Sequence, residues 1–200
     1  MSYNIFVEII VAVAAGIALA AACGFRVFVP LLASSVAARA GYIHPSSGFA
    51  WLDSNTAIAL LGAATLVEIL GYYIPWIDHA LDTVASPAAV LAGTVVAAAA
   101  FGNLDPALKW TAALIAGGGA AGIFQTTTVA TRALSGATTA GVGNPIVSTV
   151  EWLGAVIVSI LAILLPIIAL VVVIVLFAMI VRAIGKLHRR RKSAPVPEAS

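Results

Sequence analysis

Charge is scarce in this sequence: 10 Lys and Arg and 8 Asp and Glu in 200 residues, or 9%. A soluble domain carries about a quarter charged residues because its surface must be wetted. A chain this short cannot hide so much apolar surface from water. A soluble globular domain is therefore excluded, and the bilayer is the expected solvent. Cysteine is scarcer still, and the single Cys23 excludes a disulfide scaffold. Also missing are a Ser/His/Asp arrangement, a Walker loop, a dinucleotide fingerprint and an HExxH zinc motif. No Lys or Arg precedes the apolar run 5–22, and Glu8 stands near its start. That run reads as a retained first helix rather than a secretory signal.

What is present is apolar: 62% hydrophobic residues and a mean hydropathy of +1.11, with 17 glycines and long alanine runs. Small residues let membrane helices approach closely, and their faces admit a homodimer as readily as packing within one chain. Six of the ten basic residues lie between Arg182 and Lys192, directly after an apolar run. By the positive-inside rule this puts the C-terminus in the cytoplasm. Anionic lipid or nucleic acid could use such a cluster too. Topology accounts for it without a partner, and no nucleic acid is expected.

Apolar runs between Pro, Gly and polar breaks divide the chain. Residues 5–22 read as the first span and 25–40 as a shorter apolar helix containing Pro30. A polar loop over 41–55 leads to a span at 56–74 that holds Glu68. Residues 75–86 read as a short amphipathic helix and 87–102 as another span. Beyond a turn come 107–121, an apolar helix, and 122–136, an unusually polar one, followed by a Gly/Thr/Asn loop at 137–145. The run 146–184 is too long for one crossing of a core about 30 Å thick, and Pro166 near its middle predicts a tight helical hairpin. Residues 185–200 read as a basic cytoplasmic tail, disordered from 193 onward.

Segment 122–136 is no ordinary span. Its roughly four strongly apolar residues are worth about −2 kcal/mol of insertion, against about +3 for Arg132. It is expected to be sheltered inside the bundle, as a re-entrant half-helix or as the lining of a watery pocket. The span 56–74 survives the same sum, with about −4 kcal/mol from apolar side chains against about +3 for Glu68.

The chain also repeats. Thr65-Leu66-Val67-Glu68-Ile69-Leu70-Gly71 returns as Ser148-Thr149-Val150-Glu151-Trp152-Leu153-Gly154, and upstream Arg39 has a counterpart in Arg132. Each half, about 5–102 and about 107–184, reads as span, short helix ending in Arg, loop, Glu-bearing span and closing span. With 25–40 and 122–136 re-entrant, each half crosses three times and the halves are inverted relative to each other. Were they to cross fully, the count would be eight and the repeat parallel. The shortness of 25–40 and the polarity of 122–136 favour six crossings, with both termini cytoplasmic. The expected fold is all-α, with one transmembrane domain over 1–184. It is a polytopic helix bundle of about six crossings plus two short re-entrant or interfacial helices, built as an inverted internal repeat.

Ionisable residues inside a membrane are costly and usually functional. Glu68 and Glu151, with Arg39 and Arg132, form two acid–base sets at matched positions. They are either a polar pathway for a proton or cation, or ion pairs that pin the short helices to the spans. Gln125, Thr126, Thr127 and Thr128, near Gly117-Gly118-Gly119, suit a permeation path for water or a hydrated ion. Threonines can equally bond back to their own helix carbonyls. If the helix continues through Pro75, then Glu68, Tyr72, Pro75, His79 and Asp82 fall on one face. Asp78, His79 and Asp82 offer groups that suit a divalent cation. They equally suit a solvated interfacial helix with Trp76 at headgroup level. No resident metal, cofactor or enzyme activity is expected; only the Asp/His cluster leaves room for catalysis.

Certain stretches resemble a known family. They are Gly24-Phe25-Arg26-Val27-Phe28-Val29-Pro30-Leu31-Leu32, Glu68, Pro75-Trp76-Ile77-Asp78-His79 with Asp82, Pro87-Ala88-Ala89, and Gly143-Asn144-Pro145 with Glu151. Together they resemble a bacterial integral membrane family catalogued as domain of unknown function 4126. The resemblance runs from the first helix to the last span and omits the basic tail. It implies a multi-span membrane protein with no assigned substrate. With the basic tail, that gives a bacterial cytoplasmic (inner) membrane location. In one departure, the family pattern has an Asp-Lys pair just after the glutamate helix, where this chain has Tyr72-Tyr73. The functional expectation is a small channel or secondary transporter for an ion or small polar solute. The alternative is a non-transporting scaffold or lipid-organising protein.

Overall fold

The computed structural model describes residues 2–74, 77–102 and 104–192, with side chains except at 2–4, 79, 184 and 187–192. The expected headgroup-level Trp76 beside Pro75, the imidazole of His79 and residues 193–200, where disorder was expected, lie outside the described residues, as do the side chains of Arg189, Arg190, Arg191 and Lys192.

The described residues form helices and turns, with no strand among them. The helices are α1 (Ser2–Cys23), α2 (Phe28–Arg39), α3 (Asn55–Gly71), α4 (Ile77–Ala100), α5 (Pro106–Ala112), α6 (Gly119–Thr139), α7 (Asn144–Leu164) and α8 (Pro166–Lys192). Local chemistry accounts for several boundaries. The Ser54 hydroxyl accepts the N–H of Ala57 and starts α3. Asp105 accepts the N–H groups of Ala107 and Leu108 ahead of Pro106, a proline at the first helical position where its missing donor costs nothing. α6 stops where Ala140 and Gly141 adopt left-handed φ values of 52° and 87°.

α1 is the axis of the bundle: Ala14, Ala18, Ala20, Ala21, Ala22 and Cys23 are wholly buried. It runs antiparallel to α4, with Gly16 against Ala100 and Phe101 and Ala20 against Gly93. Gly93 is also where α4 meets the helix that follows it. A Cβ there would lie 2.5 Å from that of Ala121 and 3.0 Å from the Gly117 carbonyl oxygen, so only glycine permits the approach.

The outside is apolar. α7 makes the point, because it is polar inward and apolar outward. Its buried face carries Asn144, Ser148, Glu151, Ala155, Ser159 and Ala162, while Ile146, Val150, Leu153, Ile157, Ile160 and Leu164 are exposed. That pattern would be insoluble in water and is natural in lipid. Five stretches are long and apolar enough to cross a membrane: Ile5–Cys23, Ala80–Ala100, Pro106–Thr139, Asn144–Leu164 and Pro166–Ala183. α2 and α3 are shorter apolar helices. This is an all-α, multi-pass membrane bundle.

The break at Pro166 is where the sequence puts it. Leu165 leaves helical geometry (φ −138°, ψ 63°), and α8 turns back to pack on α1 and α7. Two other expectations fail. Residues 107–121 and 122–136 are one rod of 34 residues, α5 and α6 joined through a π-helical segment at Ala113–Gly118. The second half therefore has no counterpart to the reversal between α1 and α2. Nor do 75–86 form a separate interfacial helix, because α4 runs unbroken from Ile77 through Pro87 to Ala100.

Candidate functional site

α3 ends, α4 begins, α6 ends and α7 begins at one end of the bundle, and the ionisable side chains gather there. Arg132 on α6 donates through Nε (3.0 Å) and Nη2 (2.6 Å) to Oε2 of Glu151 on α7, and through Nη1 to Asp82 on α4. Arg26, in the turn between α1 and α2, reaches the same Glu151 oxygen at 3.2 Å and donates to the Ser148 carbonyl at 3.1 Å. Both guanidiniums lie over the ring of Tyr72, at 3.8 Å for Arg26 and 4.1 Å for Arg132. The Tyr72 hydroxyl donates to Asp82 at 3.1 Å, and Asn144 Nδ2 donates to Asp78 at 2.9 Å. Arg26, Arg132, Tyr72, Glu68, Glu151, Asp78 and Asn144 are all buried.

Glu68 acts differently from Glu151. Its carboxylate accepts the backbone N–H of Val27 at 2.7 Å and of Phe28 at 3.1 Å, so it caps α2, whose own first residues supply no side-chain cap. The turn that permits this needs Gly24. Any Cβ there would strike the Ala121 carbonyl, and would lie 2.5 Å from the Phe124 Cβ. An apolar pocket of about 300 Å³, walled by Val67, Leu81 and Val84, ends on Glu68. A separate polar cleft of about 260 Å³ is lined by Asp78, Asp82, Thr83, Ser86, Arg132 and Asn144.

The expected site residues divide. Glu68, Glu151, Arg132, Asp78 and Asp82 come together, although not on one continuous helix face. The chain turns at 72–74, and Tyr72 meets Asp82 across that turn. Arg39 does not join them. It lies at the far end of α2, where it is half-exposed and 3.7 Å from Asp53. Asp82 is already engaged by Arg132 and Asp78 by Asn144, so neither stands ready as a free metal ligand. Gln125 and Thr128 are buried beside Gly24, with the Thr128 hydroxyl donating to the Gln125 carbonyl at 2.9 Å. Thr126 faces outward and Thr127 is half-buried, and their hydroxyls donate to the carbonyls of Gly122 (2.8 Å) and Ile123 (2.9 Å) one turn back. Segment 122–136 can therefore sit at the bundle surface, because its arginine points inward and these threonines satisfy themselves.

Sequence reasoning missed Arg26, Tyr72 and Asn144 as site members. Arg26 carried a readable signal, since it is the only charge between Glu8 and Arg39 and had nowhere to go but inward.

The family model described as domain of unknown function (DUF4126) matches residues 13–186. The chain belongs to that family. The match takes in every residue of the charged cluster, from Arg26 to Glu151, so the cluster lies wholly within the DUF4126 domain. No curated protein and no solved structure matches the chain.

Proposed function

We propose that this DUF4126 protein is a small channel or secondary transporter for an ion or small polar solute, with the cluster around Glu151 as its site. One observation carries the reading. Two arginines face three carboxylates (Glu68, Glu151 and Asp82) inside an apolar bundle. A purely structural ion-pair network would be expected to balance, because each uncompensated buried charge is costly. An excess of carboxylate invites a proton or a cation, and the polar cleft beside Arg132 and Asp82 gives it a way in. The excess favours cations over anions. The cluster lies at the end of the bundle where α8 finishes, so a cytoplasmic basic tail would put the cleft on the cytoplasmic side.

The test is flux of protons and of mono- and divalent cations into liposomes carrying purified protein, alongside a Glu68→Gln/Glu151→Gln double variant. The reading expects a flux that the double variant loses. A wild-type flux that survives both substitutions would remove the cluster from the pathway.

A second reading, a non-transporting scaffold or lipid-organising protein, is favoured by the helix-capping role of Glu68. It predicts that neutralising Arg189, Arg190, Arg191 and Lys192 abolishes function while Glu68→Gln leaves it intact.

A further inference from the structure

We propose that the apolar pocket between α3 and α4 takes an amphipathic amine from the bilayer, its ammonium paired with Glu68 and its apolar body against Val67 and Val84. This rests on the cluster being a transport site, and it names the class of solute. α3 packs mainly on α2 and meets α4 only slightly, which leaves a gap between them. The pocket of about 300 Å³ lies in that gap and ends on Glu68. Val67 and Val84 line it and are also exposed on the apolar outside of the bundle, so it opens toward lipid.

The charge of the cluster does not balance, and the surplus sits on Glu68. Arg132 pairs with Glu151 and Asp82, and Arg26 pairs with Glu151. Among the described residues Glu68 forms no ion pair, and its carboxylate accepts only the N–H groups of Val27 and Phe28. A carboxylate offers about four lone-pair sites, so about two remain for a ligand. The two backbone donors fix its position but carry no net charge, and a buried carboxylate without a cation is costly. An ammonium in the pocket supplies the missing charge.

The walls choose the rest of the molecule. Apart from Glu68 and Tyr72 the lining is apolar, and the Tyr72 hydroxyl is already given to Asp82. An inorganic ion would surrender its hydration shell there for one carboxylate, whereas an alkyl group gains by burial. Phe28 adds an aromatic ring, a group that attracts cations. At about 30 Å³ for each water-sized group, the volume holds roughly ten non-hydrogen atoms. Mostly apolar walls around a single fixed polar group are the usual make-up of a small-molecule site.

The measurement uses the full chain in nanodiscs with tritiated octylammonium, which stays protonated at neutral pH as a lysine amine does. Empty nanodiscs give the partition into lipid alone. Saturable binding is expected, and Glu68→Gln should weaken it by about tenfold or more, the worth of one charge-assisted hydrogen bond. Octanol, of the same length but uncharged, should compete about tenfold more weakly or worse. Ala63→Phe, at an exposed lining position, should block the pocket. Undiminished binding by a folded Glu68→Gln variant would overturn the proposal. So would octanol competing as well as octylammonium, which would make the pocket a seat for a lipid chain. Absence of saturable binding would also overturn it, while cation flux lost in the Glu68→Gln/Glu151→Gln double variant would still uphold the transport reading. Octylammonium bound, with neither it nor any inorganic ion carried into liposomes, would keep the site and remove the transport reading. Should Glu68→Gln fail to fold, the octanol comparison and Ala63→Phe decide.

Discussion

Arg132 gives two nitrogens to Glu151: Nη2 donates to Oε2 at 2.6 Å, and Nε is shared between Oε2 at 3.0 Å and Oε1 at 3.2 Å. Its third nitrogen holds Asp82, so one side chain neutralises two carboxylates from different helices. Arg132→Ala should cost about 3–5 kcal/mol, because both acids are left buried without their partner. Arg132→Lys should recover only part of that, since an ammonium is a point charge and cannot replace the planar fork. Replacing Arg132 and Glu151 together with methionine should cost less than Arg132→Ala alone. Unfolding in detergent, followed by circular dichroism, ranks the three.

Tyr72 offers a separate measurement of the aromatic contact. Phenylalanine keeps the ring under both guanidiniums and loses only the hydroxyl bond to Asp82. Leucine loses both. Tyr72→Leu should therefore be less stable than Tyr72→Phe by about 2 kcal/mol, the worth of a desolvated cation–π contact. Equal losses for the two variants would show that the ring contributes only volume.

Two glycines should respond to alanine with opposite signs. At Gly93 the new methyl meets Ala121 and the Gly117 carbonyl, which should separate α4 from the long rod and reduce stability by about 1–3 kcal/mol. At Gly62, inside α3, a Cβ meets nothing within 4 Å, and alanine should stabilise by about 0.5–1 kcal/mol through helix propensity. Melting temperatures of the two variants give the comparison.

The threonines of α6 also separate. Thr126→Val and Thr127→Val remove hydroxyls that bond only their own helix, so stability and any ion flux should stay close to wild type. Thr128→Val removes a buried hydroxyl between α6 and the Gly24 turn, and should lower the melting temperature. A flux lost on Thr127→Val would return that face to the pathway.

The membrane class, the break at Pro166 and the inward turn of Arg132, Glu68 and Glu151 were all legible in the sequence. Each follows from a transfer energy or from the fixed φ of proline, which are local quantities. The pairing was not. Arg39 and Arg132 look equivalent along the chain, yet Arg39 ends a helix at the surface beside Asp53 while Arg132 sits in the middle of α6. Arg26 takes the inward place, because the turn at Gly24 points it at α7. Non-local packing decides that, and no window of sequence contains it. The continuity of α5 and α6 was obscured for a related reason. A transfer sum charges Arg132 and the threonines at full cost, whereas internal partners remove most of it.

The π-helical segment at Ala113–Gly118 sets the azimuth of everything after it. In a regular helix, side chains four apart drift by about 40° per step, so a stripe begun at Lys109 winds steadily around the rod. A wide turn unwinds the rod and swings that stripe back. Lys109, Ala113, Gly117, Ala121 and Gln125 accordingly all stay buried, and Arg132 arrives facing Glu151. The segment works as a clocking device: inserting one residue in the regular part of α6, between it and Arg132, would rotate the arginine by about 100° and carry it away from both its acids, with every other contact residue unchanged in identity.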